Sequence, residues 1–173
     1  MADFDRAFKL LLEKEGGFVD HPEDPGGTTK YGVSLAWLKN IPEGDLTNDG
    51  VINYLDVQAL TIPIVKSLFQ RYFWDKGRMG EINSQVVADK LFGLSVLFGL
   101  PRAARFLQVT INLLHNKHKL VVDGWIGDKT LREVNSYRYP GAILGGLKGE
   151  AYVRVRVGNP TFRAGWYDRI MNA

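Results

Sequence analysis

The strongest constraint on the fold is a glycine- and proline-rich run that directly follows an amphipathic helix. Apolar residues at helical spacing predict that helix over residues 3–15. Gly16 and Gly17 then supply a helix stop, and two prolines and a glycine pair between His21 and Gly27 prevent regular backbone hydrogen bonding. The chain must therefore loop back immediately after its first helix. The apolar positions are Phe4, Phe8, Leu11 and Leu12.

The last turn of this predicted helix carries an acid on its apolar face. Glu15 follows Leu11 by four positions and Leu12 by three, so its carboxyl group is expected to point inward. The partial negative charge of a helix C terminus and an apolar wall both disfavour the ionised form, so we expect a raised pKa for Glu15. A carboxyl group protonated near neutral pH suits a general acid. The alternative is a solvated glutamate that only ends a helix.

A second acid and a hydroxyl group follow within the loop. Asp24 lies nine positions after Glu15, and Thr29 follows on a glycine-rich segment that a polymeric substrate can approach closely. Two carboxyl groups across a cleft are the usual equipment of glycoside hydrolysis, in which one protonates the leaving oxygen and the other holds the attacking water. The looped spacing leaves room for that water and predicts inversion. The alternative for Asp24 is a turn residue without chemistry.

Three ordered motifs in this region carry a family resemblance. Together they resemble the signature of the glycoside hydrolase family 108 N-acetylmuramidases, which occur among phage endolysins and bacterial muramidases. An aromatic segment at residues 72–75 and the closing segment at residues 159–166 extend the resemblance over nearly the whole chain. The three motifs are Glu15-Gly16-Gly17-Phe18, Asp24-Pro25-Gly26-Gly27 and Thr29-Lys30-Tyr31-Gly32-Val33-Ser34.

The resemblance implies a mainly α-helical, lysozyme-like fold with a helical C-terminal lobe. Residues 1–99 would form the catalytic lobe, and residues 100–173 would form a peptidoglycan-binding lobe that carries the Asp123-Gly124-Trp125 turn. The chain departs from the family at residues 91–99, where an apolar stretch replaces a helix that usually carries an acid and an asparagine. That stretch is predicted to be a buried apolar helix.

The resemblance also implies an activity and a set of site residues. The activity is cleavage of the β-1,4 bond between N-acetylmuramic acid and N-acetylglucosamine in peptidoglycan, without a cofactor for the chemistry. Glu15 would donate the proton and Asp24 or Thr29 would position water, an order similar to the triad of phage-type lysozymes. The residues expected to contact substrate are Asp20, Tyr31 and Trp125.

Two alternatives remain beside the muramidase. A lytic transglycosylase also needs a single acid, and a non-catalytic module would only adhere to peptidoglycan through residues after Pro101. Other chemistries find little support, because the chain has no cysteine, its three histidines lack an H-E-x-x-H motif, and no G-x-S-x-G motif occurs.

Charge and composition predict the partners. The net charge of +3 and the isoelectric point near 9.1 favour anionic cell-wall polymers, but basic residues are scattered rather than gathered into a stripe. We therefore expect peptidoglycan as the partner of a monomeric protein, with no nucleic acid and no membrane insertion. The N-terminal sequence lacks a basic head with an apolar run, so we expect a cytoplasmic protein that reaches the wall through a holin.

A calcium site is predicted from the loop at residues 45–56, independently of the resemblance. Oxygen-bearing side chains occupy loop positions 1, 3, 5, 9 and 12, with glycine at position 6 and isoleucine at position 8, as in an EF-hand and especially a dockerin loop. The alternative is a polar surface loop without metal. A dockerin carries two such loops, so the single loop here predicts no cohesin binding. The predicted ligands are Asp45, Thr47, Asp49, the Val51 carbonyl, Asn53 and Asp56.

Periodicity predicts the remaining elements, with a lobe boundary at Gly99–Leu100. Residues 153–157 alternate as in a strand, whereas the resemblance implies a helix, which we prefer. Trp125 suits either an exposed sugar platform or a core position, and the core position is favoured. Beside the first helix, helices are predicted at residues 34–39, 63–74, 84–98, 101–114 and 129–134.

Overall fold

The computed structural model describes residues 1–13, 28–117 and 119–156, together with residues 167, 170 and 171. Its contacts divide the chain into a small unit, Leu12–Phe69, and a large unit, Met1–Leu11 with Gln70–Ala173. The described chain is mainly α-helical with a small amount of strand, which confirms the predicted lysozyme-like α-helical class. The predicted lobe boundary at Gly99–Leu100 falls inside the large unit, and the division of roles between residues 1–99 and 100–173 stays a prediction.

The small unit places a hairpin and short helices around a buried apolar centre. Val33, Leu38 and Val57 are completely buried, and Trp37 meets Phe69 edge-on with ring centroids 6.1 Å apart. Ser34 accepts a hydrogen bond from the Trp37 backbone N–H and thereby caps the helix after the hairpin. Its elements are β1 (Thr29–Lys30), β2 (Val33–Ser34), α2 (Leu35–Leu38), a 3₁₀ turn (Pro42–Gly44), α3 (Tyr54–Ala59) and α4 (Ile62–Phe69).

The large unit is a helical assembly with an aromatic cluster at the start of the chain. Phe4 lies with its ring centroid 5.5 Å from that of Trp74 and 5.7 Å from that of Phe92, so the first helix is packed by its own apolar face. Its elements are α1 (Phe4–Leu12, ending at the unit boundary), a π-helical turn (Gln70–Asp75), a 3₁₀ turn (Met79–Glu81), α5 (Gln85–Phe98), α6 (Leu100–Leu114), α7 (Asp128–Ser136) and α8 (Pro140–Arg156).

Polar contacts fix the ends of these helices. Asp3 caps α1 as an acceptor for the Arg6 backbone N–H at 2.7 Å, and the side-chain amide of Gln85 pairs with both the N–H and the C=O of Asp3. Arg78 donates to Glu81 and to Asp128, each at 2.7 Å, and so joins the 3₁₀ turn to the start of α7. Within the described ranges, no helix is long and apolar enough to cross a bilayer.

Most predicted helices are present, with three informative differences. The helix predicted over residues 3–15 is shorter than expected, because α1 ends at Leu12 and Glu13 lies in a turn. The predicted helix over residues 63–74 is α4 followed at once by the π-helical turn, which buries two consecutive aromatic side chains, Phe73 and Trp74. Residues 153–156 belong to α8, so the helix implied by the resemblance is correct and the strand pattern is misleading. The predicted apolar helix at residues 91–99 belongs to α5 as far as Phe98, and its buried residues are Leu91, Phe92, Leu94 and Ser95.

Candidate functional site

The predicted site residues that the structure describes lie in three places. Thr29 and Tyr31 lie in the hairpin of the small unit, the predicted calcium ligands form the loop before and into α3, and Trp125 lies in the large unit before α7. The predictions for Glu15, Asp20 and Asp24 lie outside the described residues.

The hairpin is a tight two-residue turn. Thr29 pairs with Ser34 and Lys30 pairs with Val33, which leaves only Tyr31 and Gly32 to connect the strands. Both connecting residues have positive φ angles, 52° for Tyr31 and 81° for Gly32, as a type I′ turn requires. The sequence predicts a glycine-rich turn here, and the structure resolves it into a hairpin with a fixed register.

Thr29 lies on the face of the hairpin away from the core of the small unit. Cross-strand partners share a face, so Thr29 and Ser34 lie opposite Lys30 and the fully buried Val33. Thr29 and Tyr31 are both half-buried. A hydroxyl group on a short, hydrogen-bonded strand has a restricted position, which suits the predicted task of holding a water molecule.

Lys30 anchors the hairpin and is a residue that sequence reasoning missed as a contributor to the site. Its ammonium group donates to the carbonyl of Gln58 at 2.6 Å and to that of Leu60 at 2.7 Å, at the C-terminal end of α3. A cation there satisfies carbonyls that a helix end leaves unpaired and complements the helix dipole. The hairpin and α3 are therefore held together by one side chain, for which the motif Thr29-Lys30-Tyr31-Gly32 was the only sequence signal.

The loop at residues 45–56 has several features of the predicted site. Gly50, at loop position 6, has a φ angle of 85°, so the predicted sharp turn is present. The Thr47 hydroxyl lies 3.5 Å from Asp45 Oδ1 and 3.1 Å from Asp56 Oδ1, so side-chain oxygens of positions 1, 3 and 12 converge. Asp45 also accepts the Gly50 N–H at 2.9 Å, which closes the turn on its first residue.

Asp56 is the buried centre of this loop. Its side chain has no exposed surface, and Oδ1 accepts the N–H groups of Leu46 and Thr47 at 2.8 and 3.0 Å while Oδ2 accepts that of Asn53 at 2.7 Å. Asn53 in turn caps α3, so the two side chains form a capping box. Burial acts to raise the pKa of Asp56, but the hydrogen bonds from Asn53 and Thr47 outweigh it and the net pKa is lowered.

The loop's carboxylates are directed mainly at backbone donors. Asp49 Oδ1 accepts the Val51 N–H at 2.8 Å, and the Val51 carbonyl accepts the Asn53 side-chain amide at 3.2 Å. Nowhere in the described ranges do three or more acidic or histidine side chains form a ligand set for a metal. Calcium coordination by this loop stays a prediction.

Trp125 is exposed, so the favoured core position is wrong. Its side chain is 64% exposed, and the neighbouring Ile126, at 5%, fills the core instead. The reason is a buried amide that sequence reasoning missed: Gln108 donates to the Trp125 carbonyl at 3.0 Å and accepts the Gly124 N–H at 2.9 Å. The turn backbone is thus fixed inward by Gln108 and the indole is directed outward.

Asp123 completes this turn. Its Oδ1 accepts the Gln108 amide at 2.7 Å and the Trp125 N–H at 2.8 Å. The Gln108 hydrogen bond first, and the Trp125 N–H second, lower the pKa of Asp123. Gly124 has a φ angle of 85°, and a Cβ there would lie 2.7 Å from the Pro101 carbonyl oxygen, so glycine is required by both conformation and space.

Comparison with known proteins decides the family. The family model described as glycosyl hydrolase 108 matches residues 8–99, more than half of the chain. The chain belongs to this family. The matched segment contains Glu15, the hairpin with Thr29 and the whole loop at residues 45–56.

A solved structure supports the assignment of this family 108 glycoside hydrolase beyond the matched segment. The structure of SagA from Brucella abortus is similar, with a TM-score of 0.82 and 27% sequence identity, over 98% of this chain and 90% of that one. No curated protein matches the chain. Family membership and this similarity make the protein a glycoside hydrolase with a lysozyme-like, peptidoglycan-hydrolysing function.

Proposed function

We propose that Glu15 is the general acid that protonates the leaving oxygen when the β-1,4 bond between N-acetylmuramic acid and N-acetylglucosamine is hydrolysed. The observation that carries the proposal is the hairpin of the family-matched segment, which holds Thr29 in a fixed register beside a Lys30 anchor. Asp24 or Thr29 positions the attacking water, and Asp20 and Tyr31 contact the sugars. The chemistry needs no cofactor.

Wall clearing by single variants tests the role of Glu15. Glu15→Gln keeps the shape of the side chain but removes the proton donor, and we expect a loss of about 10²- to 10⁴-fold in the rate of clearing. Glu13→Gln is the matched control, because Glu13 is an exposed residue two positions earlier and carries the same charge. Equal clearing rates for the two variants would remove Glu15 from the mechanism.

The role of Thr29 is separated by a second pair of variants. Thr29→Val removes the hydroxyl group at nearly constant volume, whereas Thr29→Ser keeps it. If the hydroxyl positions water, Val lowers kcat and Ser restores most of it, with KM little changed. An equal effect of both substitutions would show that only packing at this position matters.

The products decide between hydrolysis and a lytic transglycosylase. Mass spectrometry of the released fragments should show reducing ends, because water is the acceptor. Anhydro-muramic ends would show the transglycosylase instead. The anomer formed first, followed by NMR, tests the expected inversion, which requires carboxyl groups separated by roughly 6.5 to 9.5 Å. A retained anomer contradicts inversion without contradicting hydrolysis.

We also propose that residues 100–173 bind peptidoglycan and that Trp125 stacks on a sugar ring. What supports this is the 64% exposure of Trp125 on a turn that Gln108 fixes from beneath. Trp125→Ala should weaken binding to purified walls, with Tyr139→Ala as control, because Tyr139 is a comparably exposed aromatic residue of the large unit. Equal binding of the two variants would contradict a role for Trp125.

Calcium binding by the loop at residues 45–56 is a separate proposal. It is supported by the ligand spacing, the positive φ angle of Gly50 and the convergence of Asp45, Thr47 and Asp56 around one hydroxyl group. A bound ion would stabilise the fold by linkage, so the melting temperature should rise in calcium relative to chelator. Asp49→Ala should abolish that rise. An unchanged melting temperature of the wild type, with no heat of binding, would contradict the site.

Release during phage-mediated host lysis belongs to the same proposed role. Expressed alone in a bacterial cytoplasm, the protein should leave cells intact, and co-expression of a holin should lyse them. The Glu15→Gln variant is the control for lysis by the holin itself. Lysis by the wild-type protein without the holin would contradict holin-dependent release.

A further inference from the structure

The segment after α6 runs back along that helix and is fixed to it by two side-chain amides. We call this segment, Lys119–Trp125, the strap. Asn112 pairs with the strap at Leu120, donating to its carbonyl and accepting its N–H, both at 2.8 Å. Gln108, about one turn earlier on α6, holds Gly124 and the Trp125 carbonyl. Later strap residues therefore meet earlier helix residues, and the strap is antiparallel to α6.

A groove of about 310 Å³ opens where the strap meets the second half of α6. This volume is at the lower end of the roughly 300 to 1,000 Å³ typical of ligand pockets, which suits a short peptide rather than several sugar rings. Leu113 is 68% exposed and Val122 is 41% exposed, although both are apolar. Exposed apolar side chains grouped around a concave surface are characteristic of a binding site. The groove is lined by Val109, Asn112, Leu113, Asn116, Lys117 and Val122.

One end of the groove is polar and cationic. Asn116 and Lys117 are exposed, and no hydrogen bond or ion pair joins either side chain to another described residue. By contrast, the ammonium group of Lys119 is paired with Glu133 at 3.0 Å, and the Asn112 amide is used by Leu120. The groove thus offers an amide and a positive charge that no described residue pairs with, beside apolar walls.

We propose that this groove binds the peptide stem of peptidoglycan, an inference that rests on the proposed wall-binding function. A stem is a short peptide with alanine methyl groups, amides and free carboxylates. Its methyl groups would contact the apolar walls at Val109, Leu113 and Val122. Its amides would hydrogen-bond with the Asn116 side chain, and one carboxylate would accept a charge-assisted hydrogen bond from Lys117. Sugar recognition then belongs to Trp125, and stem recognition belongs to the groove on the other part of the strap.

Binding to walls with and without stems tests the proposal. The full chain carrying Glu15→Gln is used, so that walls stay intact, and intact walls are compared with glycan strands stripped of stems by an amidase. Lys117→Glu should weaken binding to intact walls about tenfold or more, the equivalent of one lost charge-assisted hydrogen bond, and leave binding to stripped strands unchanged. Lys129→Glu is the matched control, because Lys129 is an exposed lysine of the same unit and the charge change is equal.

The free stem peptide L-Ala–γ-D-Glu–meso-diaminopimelate–D-Ala gives a direct measurement. Calorimetry should detect its binding to the full chain, and both Lys117→Glu and Leu113→Asn should reduce it, while Lys129→Glu should not. Equal losses on intact walls and stripped strands would assign the groove to glycan and overturn the proposal. So would unchanged binding of both groove variants, or sedimentation showing that the variants abolish self-association of the chain.

Failure of the proposed function would look different. Reducing-end release from intact walls by the protein with Glu15 intact reports the hydrolase. If that release is absent while the free stem still binds, the stem site stands and the muramidase mechanism falls. If release is present while the stem does not bind, the reverse holds.

Discussion

Removal of the Asp56 carboxylate should destabilise the small unit more than any other change in the loop at residues 45–56. Asp56 is fully buried and accepts four hydrogen bonds, from the N–H groups of Leu46, Thr47 and Asn53 and from the Thr47 hydroxyl, at 2.7 to 3.1 Å. Hydrogen bonds to a charged group contribute about 1.5 to 3 kcal/mol each, but they are not additive and some donors would regain water. For Asp56→Ala we expect a loss of about 3 to 5 kcal/mol in the free energy of unfolding.

Asp49→Ala provides the matched control in the same loop. Asp49 is exposed and accepts the Val51 N–H at 2.8 Å, so its removal should cost only about 0.5 to 1 kcal/mol. Urea unfolding in chelator measures both variants without a contribution from calcium. At about 2 to 4 °C per kcal/mol for a chain of this length, the Asp56 variant should melt roughly 6 to 20 °C lower. Equal losses for the two variants would refute the reasoning from burial.

The same carboxylate predicts the direction of a pH effect. The lowered pKa of Asp56 in the folded state lies below its unfolded value of about 3.9. Its stabilising contribution is therefore complete above about pH 4 and is lost as the pH falls through the folded pKa. The stability difference between wild type and Asp56→Ala should shrink in acid, measured by urea unfolding at several pH values. A difference that stays constant down to pH about 2 would contradict the assignment.

Three further changes probe the anchors of the fold. Lys30→Met should lower kcat more than it raises KM, because the hairpin loses its bonds to α3, and Lys30→Arg should restore part of kcat. Gln108→Leu should cost about 2 to 4 kcal/mol by calorimetry, since buried partners in the strap are left unpaired. Thr110→Val should leave stability unchanged or raise it by about 1 kcal/mol, because the Thr110 hydroxyl is buried and has no hydrogen-bond partner among the described residues.

Helices with a clear apolar periodicity were predictable from sequence, whereas two others were not. The segments α5 and α6 begin and end within one residue of their predicted bounds. The first half of α8 was missed because its glycines carry no periodic signal. Gly146 instead lies against the side chain of Thr110, and a Cβ there would collide with it, so glycine permits the contact with α6. The short α3, Tyr54–Ala59, begins within residues 45–56, whose sequence pattern predicts a metal loop rather than a helix.

The geometry of the site depends on hydrogen bonds between residues that are far apart in the sequence, and no sequence pattern indicates these bonds. Gly32 is a residue type typical of a turn, but neither the positive φ angle of Tyr31 nor the contact of Lys30 with carbonyls 28 and 30 positions later is predictable from residue types. The exposure of Trp125 followed from Gln108, which lies 17 positions earlier on another element. Local propensity identifies turns, and a single long-range hydrogen bond decides which side chain of the turn faces solvent.

The carboxylates of Asp56 and Asp123 titrate in a different pH range from that expected for the proposed acid, Glu15. Asp56 and Asp123 both have lowered pKa values. Protonation of Asp56 and Asp123, which would disrupt the loop at residues 45–56 and the Trp125 turn, therefore occurs only in strong acid. The sequence predicts a raised pKa for Glu15 from an apolar environment, so its titration is expected in a different range. A decline in wall hydrolysis on the alkaline side of neutral pH, without any change in wall binding by the Glu15→Gln variant, would then report the proton on Glu15 rather than a loss of structure.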